Sequence, residues 1–272
     1  MKVLILYKSD SRAYQLTQRI REDLTGKGAI VSTLDSNKIS DHLSDLISND
    51  LILVLGGDGT ILKTAQHIAG TGIPLLGVNL GKVGFLSSIE PDEWPVALDR
   101  LVNFQYSLDK YLMIKTELIS EGQRVELGTA LNDVVIRSQA VRPITIGISI
   151  DNQNYSIYRG DGVICATPTG STAYSYSAGG PVLADNVKAL VITPICPLLS
   201  CGRALVVDAE SQITITSYCE FATEVTLDGE NKGCLNKRER VLISRSDKNV
   251  SIIRMDRVGL AKKIHHTWPK TI

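Results

Sequence analysis

The sequence predicts an α/β fold: an N-terminal Rossmann-like parallel-sheet domain, a β-rich second domain, and a C-terminal segment that returns to the first. Three observations predict it. The first hundred residues alternate short aliphatic runs with amphipathic stretches, the pattern of parallel strands joined by crossover helices. One run, Leu51-Ile52-Leu53-Val54-Leu55, is continuous hydrophobe, as expected of a central strand buried on both faces. Beyond about Phe104, alternating segments take over, separated by turn dipeptides such as Asp151-Asn152 and Asp228-Gly229.

Taken in order, Val3 to Tyr7 reads as the first strand. Ser11 is placed to cap a helix whose apolar residues Leu16, Ile20 and Leu24 recur at intervals of four, and Gly26 and Gly28 end it. Ile30 to Leu34 reads as a strand, Ser40 to Ile47 as a short helix, and Leu51 to Leu55 as the central strand. That strand stops at Gly56-Gly57-Asp58-Gly59-Thr60. Ile61 to Ala69 then resumes a helical pattern, Ile73 to Val78 reads as a strand and Pro91 to Val102 as a helix. In the second half, Lys115 to Ile119, Val134 to Arg137, Ile144 to Ile150 and Gln212 to Thr216 read as strands. The tail from Arg257 to Trp268 is expected to form a helix packed back on the first domain. The expected division is therefore 1–105 with 255–272, and 106–254.

Composition sets the outer limits. A chain of 272 residues amounts to about 1.8 domains at roughly 150 residues each. With 43% hydrophobic and 21% charged residues, it is neither disordered, collagen-like nor a coiled coil. Lys plus Arg and Asp plus Glu number 29 each, so no basic field exists to hold a polyanion, and no nucleic-acid partner is expected. The opening aliphatic run is too short for a signal-peptide core. The longest uncharged stretch, Gly162 to Ala184, is too rich in Gly, Ser, Thr, Tyr and Pro to satisfy its backbone in lipid, so no membrane partner is expected. Cys165, Cys196, Cys201, Cys219 and Cys234 are odd in number and form no C-x-x-C pair, which points to a reducing, cytoplasmic setting and mostly buried thiols.

The glycine-rich turn carries the first chemistry. A strand that delivers its chain into Gly56-Gly57-Asp58-Gly59-Thr60 and then a helix places the loop outside the carboxyl end of a parallel sheet, where such folds bind ligands. Glycines let backbone approach a phosphate and adopt positive φ, and the helix offers unpaired N–H groups at its positive end. A carboxylate beside bound phosphate is electrostatically costly, so Asp58 calls for a reason. Proton abstraction from a hydroxyl that attacks a phosphoryl group supplies one. The alternative is that Asp58 supports a tight turn or caps a helix beginning at Thr60.

Other signatures are incomplete. Gly77 to Val83 contains Gly-Lys, but its spacing is one residue short of a P-loop and Val83 stands where a Ser or Thr would ligate magnesium. No G-x-G-x-x-G follows the first strand, and no zinc-type Cys/His spacing or G-x-S-x-G occurs. His42, His67, His265 and His266 are expected at the surface. A second constellation spans residues 158 to 181, where hydroxyls and glycines are too dense for a core strand unless their polar groups meet a ligand, water or one another. Within it Val163 to Ala166 reads as a buried strand. Asn132-Asp133, just before another hydrophobic strand, adds an amide and a carboxylate.

Taken together, Gly56 to Thr60, Asn132-Asp133, Gly160-Asp161-Gly162 and the run from Thr167 through Ser175 to Pro181 resemble the NAD kinase family. Gly77 to Gly81, Gly84-Phe85-Leu86 and Thr193 to Pro197 are similar to family segments as well. The first motif alone is shared with lipid kinases and resembles one in phosphofructokinases. The resemblance implies phosphorylation of the 2′-hydroxyl of the adenosine ribose of NAD, using ATP or in some members polyphosphate, with a divalent cation (Mg²⁺ or Mn²⁺) bound mainly through nucleotide phosphates. It implies Asp58 as proton acceptor, with Gly56, Gly57, Gly59 and Thr60 at phosphate and Gly59 and Lys63 in the nucleotide-contacting turn and helix. Asn132 and Asp133 match a motif that holds the nicotinamide-side nucleotide or its ribose. Asp161 matches a nicotinamide-end contact, Arg159 a neighbouring position, and Thr172, Ala173, Tyr174, Ser175, Tyr176 and Ser177 the adenosine-lining segment. Arg142 lies near a further contact position. Family members form dimers or tetramers, often with the site completed by a neighbouring subunit. One departure is Asp228-Gly229-Glu230, where the family often has Asp-Gly-Gln; an ionised Glu230 can only accept, where a Gln amide could also donate. Two rival readings are a lipid or sugar kinase built on the same turn, and a dinucleotide sensor that consumes no ATP.

Overall fold

The computed structural model of the chain describes residues 1–81, 84–139, 142–198, 202–256 and 264. It divides into two compact units, Met1–Tyr111 with Asn249–Ile272, and Leu112–Lys248. The expected terminal helix over 257–268 lies, apart from residue 264, outside the described residues.

In the first unit, β1 (Lys2–Tyr7), α1 (Ser11–Gly26), β2 (Ile30–Asp35), α2 (Leu43–Ile47), β3 (Leu51–Gly56), α3 (Asp58–Ile68), β4 (Pro74–Asn79) and α4 (Trp94–Val102) follow one another. The strands lie in the order β2-β1-β3-β4, all parallel. β3 is buried along its whole length. Leu51, Leu53 and Leu55 share a core with Ile20 and Leu24 of α1 and with Trp94, Ala97, Leu98 and Leu101 of α4. Ile52 and Val54 alternate to the other face. The crossovers β1 to β2 and β3 to β4 run in opposite directions, so right-handed connections set α1 and α3 on opposite faces. The order reverses between β1 and β3, and the loop leaving β3 opens at that switch point.

Local chemistry shifts some boundaries. Asp10, not Ser11, caps α1: its carboxylate accepts the Ala13 N–H at 2.8 Å, and Ser11 is already helical. A carboxylate there both satisfies an orphan donor and meets the positive helix end. The helix expected over 40–47 is a 3₁₀ turn, Ser36–Asp41, followed by α2. The helix expected from Pro91 likewise starts as a 3₁₀ turn, Pro91–Glu93, before α4.

The β-rich part comprises β5 (Ser107–Ser120), β6 (Gln123–Ala130), β7 (Asp133–Arg137), β8 (Ile144–Ile150), β9 (Gln153–Gly160), β10 (Gly162–Ala166), the short helix α5 (Tyr174–Ser177), β11 (Ala189–Ile195), β12 (Leu205–Asp208), β13 (Ile213–Ser217), β14 (Thr223–Leu227), β15 (Glu230–Leu235) and β16 (Arg240–Arg254). One sheet runs β12-β11-β10-β7-β14-β15, antiparallel throughout. The other carries β13 between β16 and β8, with β9 outside β8. Val134, Ile136, Val163 and Val225 of the first sheet pack with Ile146, Ile148, Ile213 and Ile215 of the second, the alternation of a sandwich core. Both turn dipeptides have positive φ at both residues: Asp151-Asn152 joins β8 to β9, and Asp228-Gly229 joins β14 to β15. The final residues of β16 belong to the first unit, where Ser251 and Ile252 pair in parallel with Pro74 and Leu75.

Cys165 and Cys219 are buried, but Cys196 and Cys234 are exposed, and Cys201 lies outside the described residues. The expectation of mostly buried thiols is corrected to that extent: Cys196 sits just past the end of β11, and Cys234 points outward from the edge strand β15. Among the described residues no helix is long and apolar enough to cross a membrane.

Candidate active site

The candidate constellation of the first unit is the loop between β3 and α3. β3 ends at Gly56, Gly57 is the N-cap of α3 and Asp58 its first residue, three positions earlier than the Ile61 at which the sequence pattern placed the helix start. The Gly57 carbonyl accepts the N–H groups of Thr60 and Ile61 at 3.0 and 3.3 Å, so the N–H groups left without a helical carbonyl are those of Asp58 and Gly59. Positive φ is not used here: none of Gly56, Gly57 and Gly59 adopts it. At Gly56 the need is space, since a Cβ would stand 2.6 Å from Thr60 Oγ1, while Gly57 and Gly59 face open space. Lys63 lies one turn beyond Gly59 on the same face of α3.

Asp58 does not cap its own helix. Its carboxylate reaches the segment after β4, where Oδ2 accepts the Phe85 N–H at 2.9 Å and Oδ1 the Leu86 N–H at 3.2 Å. The side chain is half-buried, so these bonds fix its orientation without removing it from solvent. Gly84 makes the approach possible, because a Cβ there would lie 2.2 Å from Asp58 Oδ1.

A separate constellation lies within the other unit, where β7 begins. Leu131, Asn132 and Asp133 present three consecutive N–H groups to one carboxylate, that of Asp228, at 2.8, 2.7 and 3.1 Å. Asp228 in turn donates its own N–H to the Asp133 carbonyl at 3.0 Å. The sequence marks Asp228 as a turn residue and as the start of the Asp228-Gly229-Glu230 departure but does not reveal this clasp, whose target lies 95 to 97 residues away. Asn132 Oδ1 is buried and has no hydrogen-bond partner among the described residues, an acceptor of the kind a ligand donor would satisfy. Asp133 is only 6% exposed. Burial, and then the Asp228 charge beside it, push its carboxyl up to about 7. Burial also raises the Cys165 thiol, with the Asp133 charge adding to the effect.

The hydroxyl-rich run divides into two groups. Thr167 N–H donates to the Asn132 carbonyl at 2.8 Å and its hydroxyl to the Leu131 carbonyl. Gly170 packs so closely that a Cβ would lie 2.0 Å from the Asn132 carbonyl oxygen. Ser171 donates to the Pro168 carbonyl at 2.6 Å, and Ser175, fully buried, shares a 2.8 Å hydrogen bond with Thr193. These hydroxyls meet one another and the backbone. Thr172 and Ala173 are half-buried, and Tyr174, Tyr176 and Ser177 of the α5 turn are exposed.

The remaining residues lie elsewhere. β10 pairs with β7 so that Ala166 faces Asp133 while Gly162 faces Arg137. Asp161 and Arg159, both exposed, therefore sit at the other end of β10 from Asn132-Asp133, about 14 Å away at 3.4 Å per residue. Glu230 is exposed and pairs with Lys232 at 2.8 Å on its own strand. Arg142 is exposed, its guanidinium stacked 3.7 Å from the Phe221 ring centroid.

Comparison with known proteins identifies the family. Models of the ATP-NAD kinase N-terminal domain and the ATP-NAD kinase C-terminal domain match residues 8–106 and 131–255. The NAD kinase of Natranaerobius thermophilus is 34% identical over 252 residues, covering 91% of this chain and 87% of the relative. That of Nitratidesulfovibrio vulgaris is 38% identical over 247 residues, covering 89% and 82%. Among solved structures, an NAD kinase from Archaeoglobus fulgidus in complex with ATP has a TM-score of 0.80 at 25% identity, covering 98% of this chain and 99% of that one. A yeast NADH kinase complexed with NADH has a TM-score of 0.85 at 21% identity, covering 100% and 90%, a likeness of fold.

Proposed function

This chain belongs to the ATP-NAD kinase family, and from that premise we propose that it moves the terminal phosphoryl group of ATP onto the 2′-hydroxyl of the adenosine ribose of NAD, with Asp58 as the general base. The observation that carries the base assignment is the Asp58 carboxylate, half-buried at the open amino end of α3 and held there by the Phe85 and Leu86 N–H groups. The 2′-oxygen bonds to the γ-phosphorus as its proton passes to Asp58, and the bond from that phosphorus to the β–γ bridging oxygen breaks to release ADP. Gly57 and Gly59, open on their side-chain faces, admit phosphate to the N–H groups of Asp58 and Gly59. Lys63, on the same helix face, adds a positive charge for the donor.

In the second unit, Asn132 and Asp133 hold the dinucleotide, and the buried orphan Oδ1 of Asn132 supports that role. Thr172 to Ser177 line the adenosine portion, with the exposed Tyr174, Tyr176 and Ser177 as its contacts and Ser175 bracing them through Thr193. Arg159 and Asp161, placed at the far end of β10, act on the nicotinamide end of NAD bound to a neighbouring subunit, in a cytoplasmic homo-oligomer, dimer or tetramer.

A divalent cation fits this donor set as a passenger of the nucleotide. Among the described residues no three acidic, histidine or cysteine side chains converge, and the loop's own carboxylate already accepts two N–H groups. When bound, Mg²⁺ or Mn²⁺ neutralises phosphate charge. The decisive assay incubates the protein with NAD and Mg²⁺ plus either ATP or polyphosphate and measures NADP. NADP is expected with ATP; its absence with both donors overturns the reading. Diacylglycerol and fructose 6-phosphate, supplied as acceptors, are expected to remain unphosphorylated.

A further inference from the structure

The geometry points to Arg254, assisted by Tyr111, as the residue that positions the Asp58 base; this assignment rests on the reading of Asp58 just given. Arg254 ends β16 and is only 6% exposed, so its charge must be satisfied locally. Its guanidinium donates to three consecutive carbonyls: Phe85 at 3.2 Å from Nη2, and Leu86 and Ser87 at 3.0 and 2.9 Å from Nη1. Nε and Nη2 both donate to the Tyr111 hydroxyl, at 3.1 and 2.6 Å. The nearest carboxylate, Asp109, stands 4.0 Å from Nε and is half exposed. This cation is therefore solvated chiefly by backbone, and the backbone it holds is the segment that holds Asp58.

One peptide unit joins the two side chains directly. The Phe85 carbonyl, which accepts from Arg254, and the Leu86 N–H, which donates to Asp58, are the two ends of the same planar group. Hydrogen-bonding one end to a cation polarises the other as a donor. Just beyond, the N–H groups of Ser88 and Ile89 both reach the Gly77 carbonyl. Lysine cannot replace this fork, because a point ammonium spans neither three carbonyls nor the phenol at once.

The test is a double-mutant cycle read as kcat and KM under single-turnover and steady-state conditions. Arg254→Lys is expected to lower kcat about 100-fold with KM for ATP and NAD within about twofold of wild type. Tyr111→Phe, the milder change, is expected to lower kcat roughly tenfold. In an Asp58→Asn background both losses are expected to vanish, because there is no base left to position. Equal losses in both backgrounds, unchanged kcat, or a loss confined to KM overturn the assignment. If Arg254→Lys does not fold, Tyr111→Phe decides by the same criteria. Asp58→Asn at the wild-type rate overturns the base reading and this assignment with it, whereas an impaired Asp58→Asn with additive losses overturns this assignment alone.

Discussion

In the first unit Asp58 accepts the N–H groups of Phe85 and Leu86; in the second, Asp228 accepts those of Leu131, Asn132 and Asp133. Both units thus fold a distant loop onto one aspartate. What surrounds each aspartate differs in sign. Behind the Asp58 clasp stands the buried Arg254 cation; beside the Asp228 clasp stands a second, buried carboxylate, Asp133. The comparison teaches that one device serves two ends. In the first unit the loop orients the clasping carboxylate, which is the proposed reactive group. In the second the carboxylate is the brace, and the residues it orients are the proposed binding groups.

The sharpest way to break this contrast is to neutralise each aspartate in turn. Asp58→Asn is expected to cost about 10² to 10⁴ in turnover while folding and NAD binding persist, measured by NADP formation and by titration with NAD. Asp58→Asn that unfolds the chain would make both clasps mere braces. Gly84→Ala, which drives a Cβ into the Asp58 carboxylate at 2.2 Å, is expected to lower kcat up to about 100-fold with KM for NAD unchanged. Asp228→Ala strands three part-buried N–H groups and is expected to lose about 2 to 4 kcal/mol in urea denaturation, with weakened NAD binding. An Asp228→Ala protein of normal stability would show that the brace is dispensable.

The smallest effect sharpens the difference in electrostatic sign. Asp133 titrates at about 7 in the folded chain against 3.8 as a free group, so between those values the native state holds a proton that the unfolded state has released. Stability therefore falls as pH rises from about 4 to 7 and is flat above. Asp133→Asn is expected to raise Tm by a few degrees, roughly, at pH 8 and to change it little at pH 4. Equal shifts at both pH values would show that Asp133 carries no such burden.

The parts of this architecture written in local pattern were legible in the sequence. A continuous aliphatic run ending in glycines predicted both the buried strand β3 and the loop that carries Asp58. The N-cap of α1 was misplaced by one residue because Asp10 and Ser11 are both capping types and only the hydrogen bond tells them apart. Positive φ was expected in the glycine turn and is absent, because the turn needs room rather than a left-handed backbone. The hydroxyl-rich run was read as needing a ligand, water or internal partners, and three of its hydroxyls have internal partners: Thr167 and Ser171 bond backbone carbonyls and Ser175 bonds Thr193. Asp228, Arg254 and Tyr111 were missed for one reason. Their partners lie 95 to 169 residues away, and neither periodicity nor a short motif encodes so long a contact.

Thr167 and Gly170 lie against the Leu131–Asn132 backbone through two hydrogen bonds and a gap too narrow for one carbon. The segment leading into the proposed adenosine-lining turn and the Asn-Asp pair are in effect a single stitched body, so neither can adjust to a misfitting guest alone. Affinity changes from substitutions on the two sides should therefore fail to sum, and a dinucleotide altered at either end will be judged by both.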